Sequence, residues 1–188
     1  MIVTSASAAR GENDGTCESG LTVPAEAGMR LAIDSKPAGI ELVGTDAREI
    51  RITCTLPESG RAHEVRIRYR RSGGTGQLGI TDGPSNNVQV VIEVPHQTNL
   101  SVRMGAGAIH IKDVTGDKDI DVHAGELTIT GVSPQAYRFV EASVDIGQVR
   151  SSAFSVNKGG FFRSFKRSSA EGLYRLAAHV ITGSIQLN

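Results

Sequence analysis

The sequence predicts an all-β protein, a single-domain β-solenoid similar to a β-helix, in which short strands stack in repeats of about 18–22 residues. Three observations predict this fold. Apolar and polar residues alternate with a period of two along most of the chain, as in half-buried strands. Twenty-two glycines, more than the usual share of roughly 7%, separate these alternating segments. One glycine-led unit also recurs along the chain.

The clearest repeat lies between residues 100 and 132. The unit Gly107–Val114 returns eighteen positions later as Gly125–Val132, and less regular copies follow around Gly147 and Gly183. Units that bury only one face must stack to make a core, and terminal units are commonly irregular. We therefore expect the apolar positions of the first two units to face inward in adjacent rungs. These positions are Ile109, Ile111, Leu127 and Ile129.

Strands are predicted along most of the chain, in order, wherever the alternation is clear. The predicted segments are Met29–Ile33, Ile40–Val43, Ile50–Leu56, Val65–Tyr69, Val88–Val94 and Leu100–Met104. The segment from Leu173 to Val180 fits either a helix or a strand by its periodicity. Gly172 before it and the β-forming Val180-Ile-Thr tail favour a strand.

Length and charge limit the classes of function. A chain of 188 residues suits one domain, which we assign to residues 21–188. Residues 1–20 are predicted to be a leader, either the end of a signal peptide with an Ala6-Ser-Ala8 cleavage site or a disordered polar segment. Twenty basic residues balance twenty acidic ones, so net charge gives no argument for binding to nucleic acid or to an anionic membrane.

The two cysteines, Cys17 and Cys54, leave two interpretations open. A disulfide between them would close a loop of about 38 residues and stabilise the fold by on the order of 4 kcal/mol. Alternatively, Cys54 shares the parity of Ile50 and Ile52 and is a buried free thiol, which is common in protein cores.

Three alternating arginines form the first candidate binding surface. On a strand, Arg66, Arg68 and Arg70 project from one face about 7 Å apart. Such a row could hold a polyanion, for example an acidic polysaccharide or a lipid head group. The alternative, which we favour, is a solvated edge strand whose charges prevent strand-to-strand aggregation.

The second candidate surface combines aromatic and basic side chains, namely Phe161, Phe162, Arg163, Lys166 and Arg167. Interleaved aromatics and cations suit a membrane surface, a glycan or single-stranded nucleic acid. A solenoid with aliphatic rungs also needs bulky side chains to close its end. We favour this capping role over an exposed binding loop.

Metal binding is not expected. Asp117, Asp119 and Asp121 alternate as in a calcium loop, but the glycine and glutamate that such a loop requires are absent from the following positions. His110 and His123 flank one turn, yet two histidines without a third ligand are weak evidence for zinc. We also find no phosphate-binding or dinucleotide motif, so no cofactor is predicted.

A catalytic role is the alternative to a binding role. Some β-helical proteins cleave polysaccharides with carboxylates and a basic residue gathered on one face. Here Asp113, Asp119 and Arg103 could meet on neighbouring rungs. A polysaccharide-acting β-helix enzyme is therefore the second hypothesis.

The succession of motifs resembles a known bacterial family. A strand ending in Val94-Pro95, a strand at Leu100–Val102, the two glycine-led repeats and a closing Thr182-Gly-Ser-Ile185 resemble the putative-adhesin family of unknown function, over residues 29–188. The resemblance implies a stacked "toast-rack" β-solenoid in an exported bacterial domain, and no catalytic residues carry over. We therefore expect a non-enzymatic structural or adhesive module, periplasmic or at the cell surface, without a membrane span. It would bind a protein or glycan partner through exposed strand faces.

Overall fold

The protein is all-β. The computed structural model describes residues 11–36, 39–55, 64–81 and 88–188. Strands hold 75% of these residues, thirteen strands form one sheet, and no α-helix occurs in this described part. The all-β class predicted from the period-two alternation is confirmed.

Strands range from four to fifteen residues in length. They are β1 Gly11–Thr16, β2 Leu21–Pro24, β3 Arg30–Ser35, β4 Gly39–Thr45, β5 Glu49–Thr55, β6 Arg66–Ser72, β7 Thr75–Thr81, β8 Gln89–Pro95, β9 Asn99–Lys112, β10 Lys118–Thr130, β11 Tyr137–Ser151, β12 Val156–Ser168 and β13 Tyr174–Leu187.

Every segment predicted to alternate overlaps one of these strands, and Leu56, the last residue of one segment, lies outside the described residues. The ambiguous segment from Leu173 falls largely within β13, which begins at Tyr174. The sequence analysis missed β1, β2, β7 and β12, the last of which was treated as an end cap or a binding loop. Strand β1 falls within residues 1–20, which we assigned to a leader, while residues 1–10 lie outside the described part. Strand β7 is rich in glycine and polar residues, so its alternation is weak.

The sheet runs in the order β1-β6-β7-β3-β9-β10-β13-β11-β12. Strands β9, β10, β13 and β11 are parallel neighbours. The second half of β9 also pairs with β4, which continues to β8, β5 and β2. The long strands therefore join two regions of the sheet, and the buried side chains of both regions belong to one hydrophobic cluster.

The repeat identified in the sequence pairs as expected. Ile109 lies opposite Leu127 and Ile111 opposite Ile129 in the parallel pair β9–β10. All four side chains are at most 1% exposed. The predicted inward stack is confirmed.

A row of glycines crosses the four long strands where they pass between the two regions. Gly107, Gly125, Gly183 and Gly147 are in register, with φ between 139° and 145°. Across each glycine, the buried positions shift by five residues and so change parity. These shifts run from Met104 to Ile109, Val122 to Leu127, Val180 to Ile185 and Val144 to Val149. In a regular strand, side chains five residues apart point to opposite faces, so the apolar side chains after the glycine would face solvent. The glycine conformation reverses this, and the apolar side chains of both halves of the strand face the core.

The units do not stack in chain order. The unit around Gly183 lies between those of Gly125 and Gly147, because β13 pairs with both β10 and β11. The unit that comes last among these repeats in the sequence therefore does not lie at an end of the stack. A strand parallel to both neighbours satisfies the same alternation at any position in the stack, so the pattern alone does not give its place.

Cys17 and Cys54 form a disulfide, with Cα atoms 5.0 Å apart. The bridge connects the turn after β1 to β5, which belongs to the branch of the sheet that contains β2, β5 and β8. Of the two interpretations left open by the sequence, the structure therefore shows the disulfide and not the free thiol.

Candidate functional site

The arginines of β6 do not lie on an edge strand. Strand β6 lies between β1 and β7, and β1 supplies acidic partners. Arg68 pairs with Asp14 at 3.5 Å and Arg70 with Glu12 at 2.7 Å, while Arg66 is in register with Thr16. The edge-protection role is therefore wrong for β6, because β1 is hydrogen-bonded to the edge of β6 that the arginines were expected to protect. The arginine face itself is exposed.

A row of polar side chains crosses the sheet at the level of Arg68. In sheet order it comprises Asp14, Arg68, Gly79, Asp34, Arg103, Asp121 and His179. Neighbouring side chains in such a row are about 5 Å apart, close enough to interact directly. Acidic and basic groups alternate along the row, with a gap at Gly79.

A groove lies over this gap, with a volume of about 380 Å³. Its floor includes the small residues Gly79, Ala32 and Ser101, which leave the face empty because they carry little or no side chain. The basic side chains Arg68 and Arg70 line it on one side and Arg103 on the other, and Gln77 and Asp34 also line it. The groove thus offers guanidinium donors, with an amide, a hydroxyl and a carboxylate.

Acidic neighbours hold the Arg103 side chain in place. Its guanidinium lies 2.8 Å from Asp119 and 3.1 Å from Asp121, and it also donates to the Val102 carbonyl. The hydrogen bond to Asp119 raises the pKa of Arg103 above its ordinary value. These pairs are nearly half exposed, so they orient the guanidinium more than they stabilise the fold.

The three residues proposed for catalysis do not converge. Asp119 pairs with Arg103, but Asp113 follows the far end of β9, where its backbone carbonyl contacts His96 at 2.7 Å. Ten residues of extended strand separate positions 103 and 113, about 33 Å of chain. These three residues therefore do not form a common site.

The candidate metal ligands have other contacts. The Asp117 carboxylate accepts a hydrogen bond from the backbone N–H of Arg175 at 2.8 Å, and His179 lies between Asp121 and Asp145 at 3.6 and 3.3 Å. His110 aligns with Thr128, whereas His123 lies five residues earlier in β10. Among the described residues, no group of three His, Cys, Asp or Glu side chains could hold a metal ion.

The aromatic and basic surface lies on β12, the outermost strand beside β11. Phe161 and Phe162 are 67% and 81% exposed, so the capping role predicted for them is wrong. Phe165 does pack inward, with its ring 5.4 Å from Phe154. Alternation along β12 places only some of its aromatic residues against the core.

Among the basic residues of β12, Lys166 pairs with Glu141 at 2.7 Å. Arg167 stacks over the Phe154 ring, and Arg163 donates to the Gly159 carbonyl at 2.9 Å. The β12 surface and the groove lie near opposite ends of the sheet order and do not share residues.

A buried lysine was missed by the sequence analysis. Lys118 is 1% exposed, and its ammonium donates to the Tyr137 hydroxyl at 2.5 Å and to the Gly116 carbonyl. Burial lowers the pKa of Lys118 to about 8 and raises the pKa of Tyr137 to about 12. The signal was present in the sequence, since Lys118 shares the parity of Ile120 and Val122.

Helices that could cross a lipid bilayer are absent from the described ranges of the chain.

Comparisons with known proteins give one informative similarity. No family model matches the sequence, and no curated protein is significantly similar to it. The structure is similar to that of a putative cell adhesion protein from Clostridium sporogenes ATCC 15579, with a TM-score of 0.52 and 12% sequence identity. The match covers 96% of this chain and 99% of that chain. At this identity, the similarity is evidence of a shared fold alone.

Proposed function

We propose that the protein is a non-enzymatic, exported structural and adhesive module, in the periplasm or at the cell surface, whose parallel strands form a short β-solenoid. The glycine row and in-register stack of β9, β10, β13 and β11 support the solenoid description. The similarity to a putative cell adhesion protein supports an adhesive role. The disulfide supports an oxidising compartment, because such bridges are rare in the cytosol.

The groove is the proposed ligand site, and an acidic glycan is the proposed ligand. The observation that carries this proposal is the small-residue floor between Arg68 and Arg70 on one side and Arg103 on the other. An extended sugar chain can lie on such a floor while its carboxylates or sulfates accept hydrogen bonds from the guanidinium groups. Ser101 and Gln77 provide hydrogen bonds for hydroxyl groups.

Heparin serves as the probe for this site. We expect binding that weakens steeply as salt rises, since counterions compete with the arginines. Replacing the groove residues Arg68 and Arg70, together with Arg66 next to them on the same face of β6, by Gln should abolish it without lowering the melting temperature. The matched control replaces three exposed arginines outside the groove, Arg48, Arg51 and Arg150, and should retain binding. Equal loss in both triple variants would contradict a groove-specific site.

A further inference from the structure

Exposed apolar side chains gather at one place on the molecule. Of the five large apolar residues that are exposed in the described ranges, four lie around the glycine row on strands β12, β11 and β13. Phe161 is directly opposite Ile146, and the flanking pairs place Phe162 and Ile181 one position further along. We name this set, Phe161, Phe162, Ile146 and Ile181, the apolar ridge. Exposed apolar residues at neighbouring positions of a sheet mark an interaction surface more often than scattered single residues do.

The local backbone of β12 holds the two phenylalanines outward. Gly160 has φ 117° and Phe162 has φ 51°, a left-handed conformation that is unusual for a phenylalanine. A Cβ on Gly160 would lie 3.2 Å from the guanidinium of Arg163, so glycine leaves room for that side chain. Such a conformation persists only where the surroundings enforce it.

Two hydrogen bonds close this segment. Arg163 donates to the Gly159 carbonyl and Lys158 to the Ser164 carbonyl, both at 2.9 Å. The basic side chains thus bracket Phe161 and Phe162. The ridge is built by the fold and does not depend on a ligand for its shape.

Strand β12 is positively charged, while Asp145 of β11 lies at the level of Phe162 and Ile181. The thirteen residues of β12 include four basic residues, Lys158, Arg163, Lys166 and Arg167, and no acidic one. Lys166 has an acidic partner in Glu141, whereas Lys158 and Arg163 contact carbonyls and Arg167 contacts a ring. Carbonyl and ring contacts leave the net positive charge of β12 in place.

We propose that the apolar ridge docks the protein on the surface of an anionic phospholipid bilayer. Phe161 and Phe162 enter the boundary between head groups and acyl chains, while the basic residues of β12 contact lipid phosphates. A second copy of this chain is disfavoured, because pairing two β12 strands would oppose four positive charges with four. A protruding ridge also cannot enclose a small ligand. This surface is separate from the groove and goes beyond the function proposed above.

The test uses the intact protein with vesicles of phosphatidylcholine, with or without phosphatidylglycerol. The sequence contains no tryptophan, so Phe162→Trp introduces a single indole that reports on the ridge. We expect its emission to shift to shorter wavelength with phosphatidylglycerol vesicles. Leu173→Trp is the matched control, because Leu173 is 78% exposed, similar to Phe162, but lies outside the ridge. The emission of the indole at position 173 should stay unchanged.

Flotation with the same vesicles measures affinity. The Phe161→Ser/Phe162→Ser variant should bind phosphatidylglycerol vesicles at least about tenfold more weakly, because it loses the two exposed aromatic side chains that enter the bilayer. Lys166→Gln/Arg167→Gln should also weaken binding, whereas Arg68→Gln/Arg70→Gln removes the same charge at the other end of the sheet and should not. Melting temperatures confirm that each variant is folded.

Three results would overturn the proposal. The first is a Phe162→Trp emission that does not respond to anionic vesicles. The second is an equal loss of vesicle binding in Lys166→Gln/Arg167→Gln and in Arg68→Gln/Arg70→Gln, which would mean that only the net charge of the protein matters. The third is a dimer in sedimentation experiments that Phe161→Ser/Phe162→Ser dissociates, which would assign the ridge to a second copy. None of these results bears on heparin binding at the groove.

Discussion

The carbonyl oxygen of Gly125 occupies the space that a Cβ atom on Gly183 would need. Gly183 stands in the same relation to Gly147, and Gly107 to Gly125. Each backbone therefore packs directly against the next at the point where the strands pass between the two regions of the sheet. Any side chain at these positions would have to separate two hydrogen-bonded strands.

Gly183→Ala should destabilise the protein severely. The new methyl group meets backbone atoms, and alanine at φ 145° adds strain on the order of 1–3 kcal/mol. Gly105→Ala on β9 is the control, because no heavy atom lies within 4 Å of the Cβ it adds. Urea denaturation compares the two, and similar midpoints would contradict the role of the glycine row.

Ile129→Asp should unfold the domain, whereas Thr128→Asp should change the free energy of unfolding by less than about 1 kcal/mol. Ile129 is 1% exposed beside Ile111, so an aspartate there is an unpaired buried carboxylate. Thr128 lies on the opposite face and is only half-buried. Circular dichroism with thermal melts measures both, and equal melting temperatures would mean that the two faces are assigned incorrectly.

The protein should become more stable as the pH rises from 7 to 10. The pKa of Lys118 is about 8 in the folded protein and 10.5 when unperturbed, so the unfolded chain binds more protons in this range. The linked gain in the free energy of unfolding is about 2 kcal/mol. Above pH 10 the sign reverses for Tyr137, whose pKa is raised to about 12, because the unfolded chain then loses its phenolic proton first.

The Lys118→Met variant isolates this effect. Other groups titrate in the same range, so the quantity to compare is the difference in pH dependence between the two proteins, measured by urea denaturation. The variant should lack the rise, whatever its absolute stability. An identical slope in both proteins would contradict the burial of a charged Lys118.

Removing the disulfide should lower stability by about 2–4 kcal/mol, because it closes a loop between residues 37 positions apart. The Cys17→Ser/Cys54→Ser variant and the wild type under reducing conditions should give the same loss in urea denaturation. If the wild type keeps the same stability in urea after its disulfide has been fully reduced, the bridge does not restrain the unfolded chain.

The core could be predicted well from the sequence. Alternation is a local property, so the inward stack of Ile109 and Leu127 follows from parity and spacing. The same rule would have identified Lys118 as buried, but a lysine is so often exposed that its parity was not used. Its partner Tyr137 lies on another strand and could not have been inferred.

The groove could not be predicted, because it depends on neighbours across the sheet. Arg103 and Arg68 are 35 residues apart in the sequence and come together only through β3 and β7. Strand β7 was not recognised, so Gly79 could not be placed in the groove floor. Likewise, the aromatic residues of β12 were identified, but their exposure depends on a strand that lies at the end of the sheet.

The position of β13 between β10 and β11 determines when the sheet can be completed. Strand β10 has no neighbour on one side, and neither does β11, until residues 174–187 are available. A chain that emerges from a ribosome or a translocon therefore carries two open strand edges after most of its residues have been delivered. Open edges pair readily with other chains. Newly made protein is consequently most vulnerable to aggregation just before β13 arrives, and a partner that shields these edges would help most at that stage.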